Sequence, residues 1–345
     1  MSKSHGLPRI AVWTPRLDVI TGQNIVTRRV IEKQSNLIFH IFDYLGGGGI
    51  SILAALWTAM RLWSTIFTQK YSTIYLVNSR SILGFLRDLL PLGLSRLGVR
   101  TVVHVHGSDF PDLLQRPLWG RLAKWLYRRC EIIVPSEHLL PKLEPVAFRK
   151  VVLCENFADI NALSGVSAFR GKPTDHSKVF RVLWNSNVMS SKGIIELVEG
   201  LRLLRSEGVR LELVVLGSPI GDAERTEEEM RQFIASLNSE TWVDMKGRVA
   251  AESVPDMVAE CDAVALLSTY SSECQPLATI QAMVAGRIVV VADTDALHAT
   301  AGSYPVVFIA RDSRAVAEAF RPLCTCQLIR GQFFKNTAGA IPPKP

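Results

Sequence analysis

Ser268-Thr-Tyr-Ser-Ser-Glu273-Cys-Gln275-Pro276-Leu277-Ala-Thr-Ile-Gln281-Ala-Met-Val-Ala-Gly286-Arg-Ile-Val-Val-Val291 reads as the end of a strand, a polar loop, a helix, a glycine and a second strand. That succession belongs to an open α/β sheet, in which small molecules sit beyond the carboxyl ends of strands and helix N-termini present backbone N–H groups. Glu273 lies in the loop, and Gln281 follows about two helical turns into the helix, so both approach one ligand if the loop curls over the helix start. The backbone amides around Gln275, Pro276 and Leu277 are placed to cap an anion, with proline contributing no N–H.

The same alternation of strand and helix runs outward from this stretch in two halves, which predicts an α/β fold of two doubly wound, Rossmann-like domains with parallel sheets. A polar stretch from Asn161 to Lys178, with glycines and a proline, has little periodicity and reads as a linker. The expected division is residues 1–162, a linker at 163–178, and a second domain at 179–345. Gly193, Gly217, Gly247 and Gly286 fall where strands or helices end, as backbone turns require. A substrate cleft between the domains, closing by hinge motion, is the natural expectation.

With 345 residues, 48% of them hydrophobic and 21% charged, the chain can bury two cores. Its cysteines, at 130, 154, 261, 274, 324 and 326, show no repeated pairing interval and read as reduced thiols. Pro8-Arg9 leads directly into an apolar strand, Ile10-Ala-Val-Trp13, without the order of a signal peptide, so a cytoplasmic protein is expected. The net charge of +7 points to an acidic partner, a property shared by binders of nucleic acids, membranes and anionic substrates.

Between Arg116 and Arg129, basic residues alternate with Trp119, Trp125 and Tyr127 at helical intervals. That composition suits peripheral contact with an anionic membrane; the alternative is an amphipathic helix packed on the first sheet. Ile50 to Phe67 is too interrupted by Arg61 and polar residues for a membrane span and reads as a buried or partly interfacial helix. Gly46 to Gly49 lacks the Lys-Ser or Lys-Thr of a phosphate loop and reads as a flexible turn.

Taken in order, several segments resemble the retaining GT-B glycosyltransferases of family 4. Glu273 and Gln281 stand where that family carries two glutamates, the second being glutamine here. Val102-Val-His104-Val-His106-Gly107-Ser-Asp109 is similar to the family's strand and histidine-glycine turn. Ile132-Ile-Val-Pro-Ser136 and Val151-Val-Leu-Cys-Glu155-Asn156 are similar to the segments closing its first domain. Val182-Leu-Trp-Asn-Ser-Asn187-Val-Met-Ser-Ser-Lys192-Gly193 is similar to the segment that opens the second and holds the donor diphosphate. Leu213 to Gly217, Val243 to Arg248 and Cys261 to Ser268 complete the series.

The resemblance implies a metal-independent hexosyltransferase working on a nucleotide-sugar donor and a lipid-linked or polysaccharide acceptor, with anomeric retention and no nucleic-acid partner. Catalytic roles fall to His106, Glu273 and Lys192. Lys192 supplies a cation to the diphosphate, beside the close backbone approach that Gly193 allows. Asn187 stands where the family has an arginine, so either another basic residue such as Arg248 substitutes or the leaving group is less stabilised. Donor contacts fall to Gly22, Asn187, Lys192, Gly193, Gly217, Gln275, Pro276, Leu277 and Gln281, and an acceptor-side role to Asp109. Each has a plainer alternative: a solvated lysine, an exposed loop glutamate, a simple turn at Gly22.

His104 and His106 alternate along a strand and should share a face, but two histidines without a third ligand make a poor metal site, and His104 reads as a core residue. Asp293-Thr-Asp295 has the spacing of a metal-binding aspartate pair, yet its place after a strand late in the second domain favours a loop role. Beyond about position 322 no segment reads as the long returning helix usual in the family. A different class of function, a catalytically degenerate nucleotide-sugar-binding or partner subunit, is motivated by Asn187, Gln281 and that terminus. A dehydrogenase-like dinucleotide binder is disfavoured by the lack of a glycine fingerprint after the first strand.

Overall fold

Short runs rich in Val, Ile and Leu, separated by helical segments, build two parallel sheets. The computed structural model describes residues 7–19, 21–44, 49–79, 81–158 and 179–339. Two compact units divide the chain, Met1–Glu155 and Asn156–Pro345. The stretch read as a linker lies outside the described residues, as do Gly46 to Gly48 of the glycine turn.

In the first unit the elements are β1 (Arg9–Pro15), α1 (Gly22–Glu32), β2 (Ile38–Tyr44), α2 (Gly49–Ile66), β3 (Thr73–Val77), α3 (Ile82–Gly93), β4 (Thr101–His104), α4 (Phe110–Gln115), α5 (Trp119–Tyr127), β5 (Glu131–Val134), α6 (Leu140–Leu143) and β6 (Lys150–Leu153). The strands lie in the order β2-β1-β3-β4-β5-β6, all parallel. Only the step from β1 to β2 runs against the others. Right-handed crossovers therefore put α1 on one face of the sheet and α2, α3 and α5 on the other. Trp63 of α2 donates its indole N–H to Leu90 O of α3 at 2.8 Å, which locks two of these helices together.

The second unit comprises β7 (Phe180–Asn185), α7 (Ile194–Ser206), β8 (Leu211–Leu216), α8 (Glu227–Leu237), β9 (Val243–Gly247), α9 (Val254–Ala259), β10 (Ala263–Leu266), α10 (Leu277–Val284), β11 (Ile288–Ala292), α11 (Asp295–Ala301), β12 (Val307–Ile309), α12 (Ser313–Thr325) and α13 (Gln327–Gly339). Its parallel order, β12-β11-β10-β7-β8-β9, is that of a doubly wound dinucleotide-binding sheet. The central strands β10 and β11 are buried along their whole lengths, as covering both faces with helices demands. Local signals start the helices. Thr226 and Glu229 form a reciprocal capping box at α8, and Asp312 accepts from the Arg314 and Ala315 amides at 2.9 Å to start α12.

The last described segment is helical, although its sequence has no strong apolar periodicity. Pro322 sits inside α12, and α13 then buries Phe334 in the second unit's core together with Phe180, Trp184 and Phe320. The second unit thus carries two helices, α12 and α13, where no long returning helix is legible in the sequence beyond about position 322.

Candidate functional site

In the second sheet the chain leaves β7 toward β8 but leaves β10 toward β11, on the opposite side. The two loops diverge at this switch point, where α/β sheets bind ligands. One is the segment from Asn185 to Gly193; the other runs from Leu267 to Pro276. Both carry residues expected from the sequence to hold the donor, and the structure brings the two loops into contact.

The first loop is pinned from two sides. Val188 bridges to Pro219, its amide donating to Ser218 O at 2.9 Å. Ser190–Lys192 then form one tight helical turn ending on Gly193, whose φ is +81°. A side chain there would place its Cβ 2.5 Å from the Leu267 Cβ and 2.7 Å from the Leu267 carbonyl oxygen. Only glycine lets this turn lie against the end of β10. The Thr269 amide donates to Ser191 O at 2.9 Å and completes the join.

Lys192 and Glu273 meet across it. Lys192 Nζ lies 3.2 Å from Glu273 Oε2, and the two side chains are only 14% and 13% exposed. Lys192 also donates to Ser186 Oγ at 2.9 Å, and Ser268 Oγ donates to Glu273 Oε2 at 2.8 Å. A cation and a carboxylate are therefore held partly dehydrated at the carboxyl edge of the sheet, where their interactions are stronger than in water. Beside them α10 begins at Leu277 with Pro276 as its N-cap, and no side chain caps it. The first-turn amides of a helix have no intrahelical acceptor and favour an anion.

Gln281 extends the same edge, its Oε1 accepting from Asn185 Nδ2 at 2.9 Å. Asn185, at the end of β7, was not singled out in the sequence; its place at the start of the diverging loop is the signal that could have found it. Gln275 is placed differently. Its side chain accepts from the Asn156 amide and its carbonyl accepts from Asn156 Nδ2 at 2.9 Å, so it ties down the start of the second unit. Asn187 is exposed on the first loop, and Gly217, with φ of +117°, ends β8 beside Ser186.

The cation that the structure does bring to these loops is Arg311, which sequence reasoning missed. Arg311 follows β12 and donates to Thr269 Oγ1 at 2.8 Å and to both Glu224 oxygens at 2.7 Å, with Glu196 at 3.0 Å from its Nε. Its hydrogen bonds to Glu224 raise its pKa and hold the Glu224 carboxyl below the usual range. Glu224 accepts in turn from Ser190 Oγ at 2.8 Å. Arg311 thus braces Thr269 and Ser190, on the loops that carry Glu273 and Lys192. Arg248, the substitute cation considered from sequence, is exposed just beyond β9.

Taken by itself, the first unit places His106 just past β4 with its ring centroid 4.1 Å from that of His104, the shared face expected from their alternation. His104 is buried and bonded through Nδ1 to the Tyr75 hydroxyl, and burial pushes its pKa down to about 4. It is a neutral core residue. Asp109 is the N-cap residue of α4, and Gly22 is the first residue of α1, after β1. Among the described residues no group of three or more His, Cys, Asp or Glu side chains is arranged to hold a metal ion. Asp293 hydrogen-bonds with His298 at 2.6 Å, and Asp295 opens α11.

This architecture has counterparts among solved structures. HepE of Anabaena, crystallised with UDP, is 17% identical with a TM-score of 0.70, over 96% of this chain and 93% of that one. The fold is GT-B. The sucrose-phosphate synthase of Thermosynechococcus elongatus shares this GT-B fold at 14% identity and a TM-score of 0.70, covering 96% and 93% of the two chains. An α,α-trehalose-phosphate synthase (UDP-forming) from Burkholderia vietnamiensis shares it at 11% identity and a TM-score of 0.67, covering 96% and 94%. Residues 180–325, all within the second GT-B unit, match the family described as "Glycosyl transferases group 1". No curated protein matches the sequence significantly.

Proposed function

We propose that this chain is a retaining hexosyltransferase of family 4 that carries a sugar from a nucleotide-sugar donor to a lipid-linked or polysaccharide acceptor. The observation that carries the proposal is the Lys192–Glu273 pair at the switch point, beside the uncapped start of α10. The group 1 match over the same residues supports it. HepE complexes with UDP and with UDP-glucose favour a uridine nucleotide as donor.

Lys192 and the first-turn amides of α10 receive the diphosphate, whose developing charge they stabilise as the bond to the anomeric carbon breaks. When Lys192 turns to phosphate, Glu273 is released toward the sugar, where it meets a hydroxyl or the positive charge growing on the ring. Gln281, aligned by Asn185, offers its amide to the ribose hydroxyls. His106 faces the transferred sugar, and Asp109 orients the acceptor. Retention follows if the acceptor attacks from the face that the diphosphate leaves and passes its proton to a diphosphate oxygen, so that no enzyme nucleophile is needed. Neither step draws on a metal ion. The acceptor is reached from a peripheral position on an anionic membrane.

Incubation with UDP-sugars and membrane-extracted acceptors, followed by the anomeric configuration of the product, tests this proposal. Transfer with retention is expected. Transfer with inversion overturns the stereochemistry. Asn187 and Gln281, at positions where family 4 carries an arginine and a glutamate, favour a second reading, a nucleotide-sugar-binding subunit without turnover; UDP binding with no transfer would select it.

A further inference from the structure

Among its described side chains, α2 packs one side and exposes the other. Ala55, Ala59, Leu62 and Ile66 are buried, while Leu53, Leu56, Trp57 and Met60, at helical spacing on the opposite side, stand in solvent, Trp57 at 67% and Leu53 at 70% exposure. Phe67, just past its end, continues the stripe. The neighbouring α3 adds Leu83 and Leu90 seven residues apart, and the turn after it adds Leu97. These helices lie on the same face of the first sheet as α5, which exposes Arg121 and Trp125 and is followed by a turn that exposes Arg128 and Arg129. Arg96 sits over the Trp125 ring at 3.9 Å and links the apolar stripe to this basic border. Exposed apolar surface of this extent marks an interaction site.

We propose that the outer face of α2, α3 and α5 docks on an anionic lipid bilayer. The charge pattern selects that occupant. From residue 49 to 130 the sequence holds eleven Lys and Arg against three Asp, and Asp88 of those three is buried. Apolar side chains ringed by arginine and tryptophan match the boundary between headgroups and acyl chains. A second copy of the chain would bring two basic borders together, which opposes self-association through this face. This docking rests on the membrane part of the proposed function and on none of its chemistry. It also sharpens the sequence expectation, in which the α5 segment suits membrane contact and α2 reads as buried or partly interfacial: α2 supplies the apolar insertion and α5 the electrostatic border. Among the described residues no helix is long and apolar enough to cross a membrane, so contact through this face is peripheral.

Co-sedimentation of the full chain with vesicles tests the proposal, in the absence of nucleotide. Binding to phosphatidylglycerol–phosphatidylcholine vesicles is expected, with little binding to phosphatidylcholine alone and a decline as salt is raised. Trp57→Glu with Met60→Glu should weaken it on the order of a hundredfold, because apolar insertion is lost and like charge added. Arg121→Gln with Arg128→Gln should weaken it by about 30-fold at low salt. Far-UV circular dichroism and a thermal unfolding profile like those of wild type show that both variants are folded, the first unit included. Three results overturn docking: no sedimentation of wild type with anionic vesicles, equal binding to both vesicle types, or unchanged binding of the Trp57/Met60 variant. A wild-type dimer that this variant splits, with no vesicle binding, would assign the face to self-association instead. Vesicle binding without any UDP binding would refute the proposed function and leave docking standing.

Discussion

Removing one partner of the Lys192–Glu273 pair should cost more than removing both would suggest. At 3.2 Å and an effective dielectric of about 20, the two charges attract by about 5 kcal/mol, much of which is offset by their desolvation. Lys192→Met leaves a carboxylate that is only 13% exposed without the cation beside it, and Glu273→Gln leaves a cation equally shut off. Each single change should destabilise the second unit by about 2–3 kcal/mol, and the double change by about 2 kcal/mol less than their sum. Native-state hydrogen exchange of the β7 and β10 amides reads this locally, which suits a chain of two units better than one global transition does. Additivity within about 0.5 kcal/mol would refute the coupling.

Gly193→Ala should destabilise the second unit by roughly 2–4 kcal/mol, from left-handed backbone strain and overlap with Leu267, and should weaken UDP binding in a calorimetric titration. Gln281→Glu keeps an acceptor for Asn185 and adds a charged one for ribose, so calorimetry should show about fivefold tighter UDP binding. His104 has a folded pKa of about 4, below its ordinary value, so the unfolded chain binds the extra proton. Its contribution is complete above pH 6.5 and is lost as pH falls toward 4, amounting to about 3 kcal/mol, a dependence that exchange of β4 amides should show and His104→Gln should abolish.

The fold was legible wherever one residue type answers one backbone demand. Gly193, Gly217, Gly247 and Gly286, read as turn residues from their places after strands or helices, all have positive φ. Lys192 and Glu273 were legible because each sits in a loop leaving a central strand. Arg311 was not, because its partners Thr269, Glu224 and Glu196 lie 42 to 115 positions away and only the sheet order brings them together. Gln275 was singled out for its backbone amide; that its side chain ties down Asn156 was not legible, because a loop position does not show which way a side chain turns. The helix α13 escaped notice because its apolar residues do not form a stripe; Phe334 is buried in the core and Phe333 packs against it. The apolar composition of α2 was plain, whereas its division into a buried and an exposed side needed the packing on α3.

Calorimetric titration of wild type and Lys192→Met with UDP, in EDTA, tests the donor site most directly. Metal-independent binding by wild type, weakened about 10- to 100-fold in the variant by loss of a charge-assisted contact to phosphate, is the expected result. No binding by folded wild type, or equal affinity in the two proteins, would contradict the assignment of the diphosphate to Lys192.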